Sequence, residues 1–218
     1  MQVRRYTTSE LTLRFWAAFA LLLTFSAIFI AYVYAEKRID QANDQRVYSL
    51  KVIGELRQSS DDLTRMVRSY IATGEHRYKN HFNEIIAIRN GQAARPVNYH
   101  QVYWDLVGEE NNRPRPAGSR IALLDLMKAS GFTTAEMAAL QDAIIQSDVL
   151  AVKEQKAMQL LERPETDPAQ KAKNKQQALL AVFDQSYHNA KIAIMQPIAT
   201  VYSLVDQRTA DEVENAMF

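Results

Sequence analysis

The sequence contains no cysteine, and this absence excludes disulfide bonds, thiolate metal sites and cysteine nucleophiles together. It has only 6 glycines and 6 prolines among 218 residues, and because these are clustered, long stretches carry no strong helix breaker. The formal net charge is +1, so the chain lacks the basic surplus that is typical of nucleic-acid binding. Ala, Leu, Gln, Lys and Glu fill the long stretches. This composition predicts an all-α protein with no nucleic-acid partner.

Motifs of common enzyme families are also missing. The sequence has no P-loop, GxGxxG, GxSxG or HExxH pattern. His76 and His81 are five residues apart, the wrong spacing for two ligands on one face of a helix. We therefore expect no catalytic residues, no metal site and no cofactor in this chain.

One long apolar run stands near the N-terminus. From Phe15 to Ala35 there are 21 consecutive residues without a charge, which as a helix would rise roughly 30 Å and cross the hydrocarbon core of a bilayer. Trp16 lies near one end of the run, and Tyr32 and Tyr34 lie near the other, where aromatic side chains favour the membrane interface. The run predicts a transmembrane helix.

The flanking charges predict an orientation. Arg4, Arg5 and Arg14 precede the run with only Glu10 opposing them, whereas the charges at 36–40 are balanced. The positive-inside tendency then places the N-terminus in the cytoplasm and the rest of the chain outside it. The alternative is a cleaved signal peptide ending at residue 35, although the run is longer than a usual signal core. The predicted divisions are a cytoplasmic segment 1–14, a transmembrane helix 15–35 and an extracytoplasmic helical domain 36–218.

The exported part has the apolar periodicity of packed helices. Gly74 and Gly91 predict the ends of the first and second helices, and Thr133 or Thr134 would cap a later one. Asp184 or Ser186 would cap the last helix. The predicted helices run to about residue 73 and then over about 76–90, 120–129, 133–162, 168–183 and 187–217, the last containing Pro197. A buried apolar seam is predicted on the first helix at Ile53, Leu56, Ser60, Leu63, Val67 and Tyr70.

These helices predict an antiparallel four-helix-type bundle that is anchored in the membrane, with a loop-rich insertion at 91–119 between the second and third helices. The last helix should run back toward the membrane. Its polar end at 206–218 is what a chain stopping just before a second membrane span would show, so we expect that the protein continues beyond Phe218.

Two blocks of the sequence resemble a known family. The first block, residues 56–107, combines Ser-Asp-Asp-Leu-Thr, a Tyr-x-x-Thr-Gly turn and an Asn-Tyr-x-x-x-Tyr-Trp-Asp segment. The second block, residues 186–213, resembles the returning helix of the family named next. The chain is similar to the periplasmic helical sensor regions that precede the signalling modules of bacterial hybrid histidine kinases, diguanylate cyclases and chemoreceptors. The resemblance implies a sensor domain of the bacterial inner membrane, periplasmic and commonly dimeric. It implies neither a ligand nor a type of output.

Polar residues interrupt the first helix and form what we term the polar seam, Ser60, Asp61 and Asp62. Ser60 occupies an apolar-seam position, where a hydroxyl must find a partner. The charged neighbours would be solvated or form i,i+4 pairs, as Asp61 with Arg65, or they would line a ligand pocket or a signalling switch.

Aromatic and basic residues supply the candidate ligand contacts. Tyr99, Tyr103 and Trp104 suit a pocket for a small organic molecule, or equally a loop pinned onto the bundle. His188 would titrate near neutral pH, hold an anion, or face solvent. The full candidate set for binding a carboxylate or similar anion is Arg65, Arg68, Tyr99, Tyr103, Trp104, His188 and Lys191.

Two functions follow from these expectations. The first is an input domain that binds a small anionic or organic ligand, or a periplasmic protein, and transmits a helix shift across the membrane. The alternative is a single-pass adaptor or scaffold whose bundle docks a periplasmic protein and transmits nothing.

Overall fold

A computed structural model describes residues 8–108 and 112–217. Over these residues the protein is all-α, as predicted, with a single isolated backbone bridge and no strand. Residues 1–7 of the predicted cytoplasmic segment, residues 109–111 of the insertion and Phe218 lie outside the described part. The helices are α1 Thr8–Thr73, α2 His76–Arg89, α3 Leu123–Ala129, α4 Thr134–Leu161, α5 Pro168–Phe183 and α6 Gln185–Met217, with a 3-10 turn at Trp104–Leu106.

The helix ends follow from local chemistry. Gly74 has φ of +77° and ends α1, because its N–H donates to the carbonyl of Tyr70 over 2.7 Å in a conformation that glycine adopts without strain. Thr133 begins α4 with a capping box, in which its hydroxyl accepts from the Glu136 N–H while the Glu136 carboxylate accepts from the Thr133 N–H. Asp184 caps α6, since its Oδ1 accepts from the Tyr187 N–H over 2.6 Å.

The chain divides into two units: Met1–Asp44 with Thr209–Phe218, and Gln45–Arg208. In the first unit, α1 carries the apolar run, and its large side chains are not packed in a protein core: Leu21 is 71% exposed and Phe25 is 69% exposed. The hydroxyls of Thr24 and Ser26 donate to carbonyls four residues earlier in the same helix, so this stretch satisfies them internally. By length and composition α1 is able to cross a membrane.

The second unit, Gln45–Arg208, holds one hydrophobic core. The apolar seam predicted on α1 is buried throughout, so the helical periodicity of this segment is confirmed. Helices α2, α3, α4, α5 and α6 and the insertion contribute the remaining core side chains. The largest side chains that are fully buried include Ile53, Leu56, Leu63, Phe82, Ile85, Ile88, Leu140, Met158 and Tyr187.

Polar contacts between helices give their relative directions within this unit. Residue numbers rise along α1 as they fall along α6, in the contacts of Arg46 with Asp206 and of Asp61 with Lys191. These two helices are therefore antiparallel. Helix α5 is also antiparallel to α1, because Lys175 Nζ donates to the Ala72 carbonyl while Arg68 donates to the carbonyl at residue 182.

Helix α4 is antiparallel to α6 by the same argument. Near the start of α4, Arg208 Nε donates to Glu136 Oε1 over 3.1 Å, and near its end Glu154 meets Tyr187. Helix α2 contacts α4 through Arg89, which is 4% exposed and donates to Ser147.

The described residues of the insertion between α2 and α3 form a loop with its own hydrogen bonds. Residues 95–97 pair with 116–119 through backbone hydrogen bonds of 2.8–3.0 Å, which close the loop at its base. A buried ion pair of Arg95 with Glu55 fixes that base on α1, and Arg95 Nη2 also donates to the Ile121 carbonyl. Arg115 donates to two carbonyls of the loop, at Asn98 and Val102, and so replaces partners that a helix would supply.

Candidate functional site

Two residues of the polar seam, Ser60 and Asp61, contact α6. Ser60 is 2% exposed, and its hydroxyl accepts a hydrogen bond from Lys191 Nζ over 3.0 Å. The same ammonium group donates to Asp61 Oδ1 over 2.9 Å. The seam hydroxyl has therefore found the partner that its burial requires, and one lysine of the candidate set supplies it.

The predicted pairing of Asp61 with Arg65 is wrong. Arg65 instead donates to Asp62 over 2.6 Å and forms an ion pair with Asp105 of the insertion. The reason is tertiary: Lys191 on α6 occupies Asp61, while the insertion brings Asp105 to Arg65. Burial raises the pKa of Asp62 above its ordinary value, against the opposing effect of Arg65.

Arg68 covers the C-terminal end of α5. Its Nε and Nη2 both donate to the Val182 carbonyl, at 3.1 and 2.9 Å, and this carbonyl is one of the last four that a helix leaves without an internal partner. The guanidinium also lies over the ring of Phe183, 4.2 Å from its centroid, and over the ring of Tyr187 at 5.2 Å. Arg68 thus joins α1 to the junction of α5 and α6.

A hydrogen-bonded chain crosses three helices beside this junction. The Tyr187 hydroxyl of α6 is 2.5 Å from Glu154 Oε1 on α4 and 2.9 Å from Thr64 Oγ1 on α1. Thr64 Oγ1 in turn donates to the Ser60 carbonyl over 3.0 Å. Every member of this chain is buried.

Counting hydrogens shows that the chain has two arrangements. A tyrosine hydroxyl carries one hydrogen, so Tyr187 donates to either Thr64 or Glu154. When Glu154 is protonated, it donates to Tyr187, Tyr187 to Thr64, and Thr64 to the Ser60 carbonyl, and every group is satisfied. When Glu154 is ionised, it accepts the hydrogen bond from the Tyr187 hydroxyl. Thr64 can then donate to Tyr187 only by turning its own hydrogen away from the Ser60 carbonyl.

The electrostatic environment brings the titration of Glu154 close to neutral pH. Burial raises the pKa of Glu154 from its ordinary 4.5 to about 7, and this effect outweighs the Tyr187 hydrogen bond and the charges of Lys191, Arg89 and Arg68, which lower it. Arg89 is itself buried, which lowers its pKa, and it donates to the half-exposed Asp148 over 2.5 Å.

Glu154 was not among the residues predicted from the sequence. Its position on α4 follows the same spacing as the buried Ser147, Leu150 and Ala151 before it and Met158 after it. That helical spacing is the signal that could have identified it. A glutamate is almost always at the surface unless paired, so its residue type argues against burial.

The three aromatic residues of the insertion are buried together, at 6% exposure for Tyr99, 2% for Tyr103 and 3% for Trp104. Trp104 Nε1 donates to the Tyr99 hydroxyl over 2.7 Å, and its ring lies 4.9 Å from that of the buried His81 on α2. Residues 99–103 form turns rather than a helix, so the rings meet through a folded loop and not along one helical face. This packing supports the alternative of a loop pinned onto the helices; a ligand contact by these residues stays a prediction.

The seven candidate ligand residues do not line one pocket. Arg65 and Trp104 line a small cavity of about 290 Å³, and Arg68, His188 and Lys191 line another of about 250 Å³. His188 is exposed at the edge of the second cavity. Among the described residues no three His, Asp or Glu side chains are grouped to hold a metal ion.

Comparisons with protein-family models, with curated proteins and with solved structures found no match for this chain.

Proposed function

We propose that the chain is the ligand-sensing input domain of a bacterial transmembrane receptor, which transmits a helix shift across the inner membrane. One observation carries this proposal: α1 is a single helix from Thr8 to Thr73 that contains both the apolar run and the polar seam. A change in how the seam packs against α6 therefore acts on the same helix that contains the candidate membrane span.

The contacts between helices support a four-helix-type bundle in which α1, α2, α4 and the pair α5–α6 are the four members. In this arrangement α5 and α6 together form the returning member, since both are antiparallel to α1 and only Asp184 separates them. The insertion then lies between the second and third members.

The hydrogen-bonded chain at Tyr187 supplies a physical basis for switching between two conformations. Packed helices have discrete arrangements, and the chain through Glu154, Tyr187 and Thr64 joins α4, α6 and α1 with two alternative hydrogen-bond directions. A stimulus shifts such an equilibrium only by as much as it favours one arrangement over the other.

The proposed topology places the N-terminus in the cytoplasm and the helical domain in the periplasm, with a homodimer as the working form. The sequence has no cysteine, so a single introduced cysteine is the only thiol that a maleimide can label. Glu10→Cys and Lys128→Cys are at exposed positions on either side of the apolar run. In intact cells a membrane-impermeant maleimide should label Lys128→Cys, and Glu10→Cys only after lysis. Labelling of Glu10→Cys alone in intact cells would invert the topology and refute the periplasmic domain.

Transmission is tested by distances between spin labels on α1 and α6. Arg57→Cys and Gln196→Cys are exposed positions at similar levels of the antiparallel pair. In the full chain in lipid nanodiscs, we expect two distance populations whose ratio changes when pH crosses the pKa of Glu154, about 7. A single population that is the same on both sides would contradict transmission through this helix pair.

One observation favours the adaptor function as a second candidate. Ile145, Val149 and Val152 are spaced along one face of α4 and are 59%, 64% and 50% exposed. An exposed apolar stripe of this kind suits docking of a protein partner. The adaptor would be supported if the spin-label distances never change and if Val149→Glu prevents co-purification of a periplasmic protein with the full chain.

A further inference from the structure

A cavity lies where α1 ends and α5 begins, away from the hydrogen-bonded chain through Glu154, Tyr187 and Thr64. Its volume is about 780 Å³, which falls within the range of about 300–1,000 Å³ for small-molecule sites. The end of α1, the first residue of α2, the end of α4 and the first turns of α5 all contribute to its wall. All of these belong to the unit Gln45–Arg208.

One side of the cavity is apolar and aromatic. Ile71, Leu160 and Leu161 form this side, and all three pack in or against the hydrophobic core. The rings of Tyr70 and His76, with centroids 5.9 Å apart, complete it. Such a wall accommodates the apolar body of a small organic molecule.

The charged residues of the cavity are mostly basic. Arg163, Lys171 and Lys175 line it against one carboxylate, Glu162. That carboxylate is already matched, because Lys79 Nζ donates to its Oε1 over 2.5 Å and the Tyr70 hydroxyl donates over 2.8 Å.

Two acidic residues of the neighbouring loop do not cancel this surplus inside the cavity. Glu165 accepts from the backbone N–H groups of residues 166 and 167, and Asp167 accepts from the Ala169 N–H to cap α5. Neither of them lines the cavity. The lining side chains therefore carry two positive charges in excess, three cations against one anion.

Asn174 adds a buried hydrogen-bonding group. It is 4% exposed, lines the cavity, and its Oδ1 accepts from Gln170 Nε2 over 2.9 Å. No described residue accepts a hydrogen bond from its Nδ2, so the amide has donors to offer a bound acceptor. A buried amide beside basic side chains and an apolar wall is the combination that fixes the orientation of a small anion.

We propose that this cavity binds a small organic carboxylate whose charged group contacts Lys171 and Asn174 and whose flat apolar body lies against Leu160, Tyr70 and His76. The assignment rests on the proposed function in one respect, that the bound carboxylate is its stimulus. Such a molecule would bridge α1 and α5, where Lys175 Nζ already donates to the Ala72 carbonyl over 2.8 Å.

The test uses the full chain in lipid nanodiscs with benzoate and indole-3-acetate as probes and benzamide as the uncharged counterpart of benzoate. Binding is measured by calorimetry and by saturation-transfer NMR. We expect saturable binding of a carboxylate probe and binding of benzamide that is weaker on the order of tenfold, because the amide loses the attraction to the basic side chains. Failure of both carboxylates to bind, or equal binding of benzoate and benzamide, would overturn the assignment.

Matched variants locate the site. Lys171→Glu reverses a charge in the cavity, whereas Lys173→Glu makes the same change on an exposed position of α5 outside it. Asn174→Asp keeps the side-chain size and replaces the amide donor with a carboxylate. We expect Lys171→Glu and Asn174→Asp each to weaken carboxylate binding roughly tenfold or more, with Lys173→Glu unchanged. Equal losses for Lys171→Glu and Lys173→Glu would indicate attraction to the surface of α5 as a whole and would refute the site.

The two proposals fail separately. One outcome is that carboxylate binding is lost in Lys171→Glu while, in the wild-type chain, it leaves the α1–α6 spin-label distances unchanged. This result would support the binding site and refute the carboxylate as the stimulus. If the spin-label distances respond to pH but no carboxylate binds, the proposed sensor function is supported and the proposed carboxylate site is refuted.

Discussion

The Tyr187 hydroxyl lies 2.5 Å from Glu154 Oε1, and this contact ties α6 to α4 inside the hydrophobic core. The same hydroxyl is 2.9 Å from Thr64 Oγ1 of α1, so three helices meet at one oxygen atom. Because that oxygen carries a single hydrogen, the protonation state of Glu154 decides which way the chain of hydrogen bonds runs. The stability of the domain should therefore depend on pH through this carboxyl group.

Replacing Glu154 with Gln should remove that dependence. The pKa of Glu154 is about 7 in the folded protein and near its ordinary 4.5 in the unfolded chain, so the folded state binds more protons between these values. Stability is then greatest below the unfolded-state pKa and is lost as pH rises through the folded-state pKa. Glu154→Gln, which mimics the protonated form, should raise the free energy of unfolding above pH 7 by up to about 3 kcal/mol and leave it little changed in acid.

The measurement is denaturant unfolding of the full chain across this pH range. The chain has two tryptophans, so a Trp16→Phe background leaves Trp104 as the fluorescent reporter of the helical domain. Glu165→Gln, in the exposed loop before α5, serves as the control and should not change the pH profile. A wild-type profile that is flat between the two pKa values would contradict the burial of an ionisable Glu154.

Replacing Tyr187 with Phe should destabilise the domain while keeping the packing of the ring. The change removes the hydroxyl that joins Glu154 to Thr64 and leaves buried polar groups unsatisfied, at a cost of roughly 1–3 kcal/mol. It also removes a hydrogen bond that lowers the pKa of Glu154, so the pH-dependent loss of stability should shift to higher pH. Tyr202→Phe, on the same helix and half-buried, is the control. An equal cost for both variants would show that the hydroxyl of Tyr187 has no special role.

The helices were predictable because their signals are local. Apolar spacing on α1 identified its buried seam, and Gly74 and Thr133 marked an end and a beginning through chemistry that needs only neighbouring residues. Sequence left Thr133 and Thr134 as equal candidates for the cap. The structure selects Thr133, because only its hydroxyl stands three residues before a glutamate that can close the capping box.

The partners of the polar residues were not predictable, because they depend on which helices come together. Arg65 was expected to pair with Asp61 on its own helix but pairs with Asp62 and with Asp105, which is 40 residues away in sequence. Glu154 was overlooked for a different reason. Its spacing on α4 indicates a buried position, but a glutamate is expected at the surface. Local periodicity therefore predicted which helix faces are buried. The hydrogen-bonded chain through Glu154, Tyr187 and Thr64 could not be predicted in this way, because it depends on how α1 packs against α4 and α6.

Replacing only one partner of the ion pair between Glu55 and Arg95 should strongly destabilise the domain. Both side chains are 9% exposed, so Glu55→Met leaves a buried guanidinium without its counter-charge, at a cost of about 3–5 kcal/mol. The double variant Glu55→Met with Arg95→Met should be less destabilised than the sum of the single variants. Asp125→Asn, which breaks the exposed pair with Lys128, should cost less than about 1 kcal/mol. Additive single costs in the double-mutant cycle would contradict a direct interaction.

Two glycines with nearly the same backbone conformation should respond differently to alanine. Gly74 and Gly91 have φ of +77° and +73°, so alanine is strained at both by about 1 kcal/mol. An added Cβ at Gly74 meets no atom within 4 Å, whereas at Gly91 it would lie 2.7 Å from the backbone nitrogen of Ala122. Since that nitrogen belongs to the segment leading into α3, the insertion and α3 must move apart to admit the methyl group.

We therefore expect Gly74→Ala to lower the free energy of unfolding by roughly 1 kcal/mol and Gly91→Ala by roughly 3 kcal/mol. Trp104 fluorescence reports both the unfolding midpoint and any loosening of the insertion in the folded state. The packing of the insertion against α3 is what distinguishes the two sites. Equal effects would mean that Gly91 and Ala122 do not pack closely against each other. Contacts other than this one would then have to hold the aromatic residues of the insertion in their buried positions.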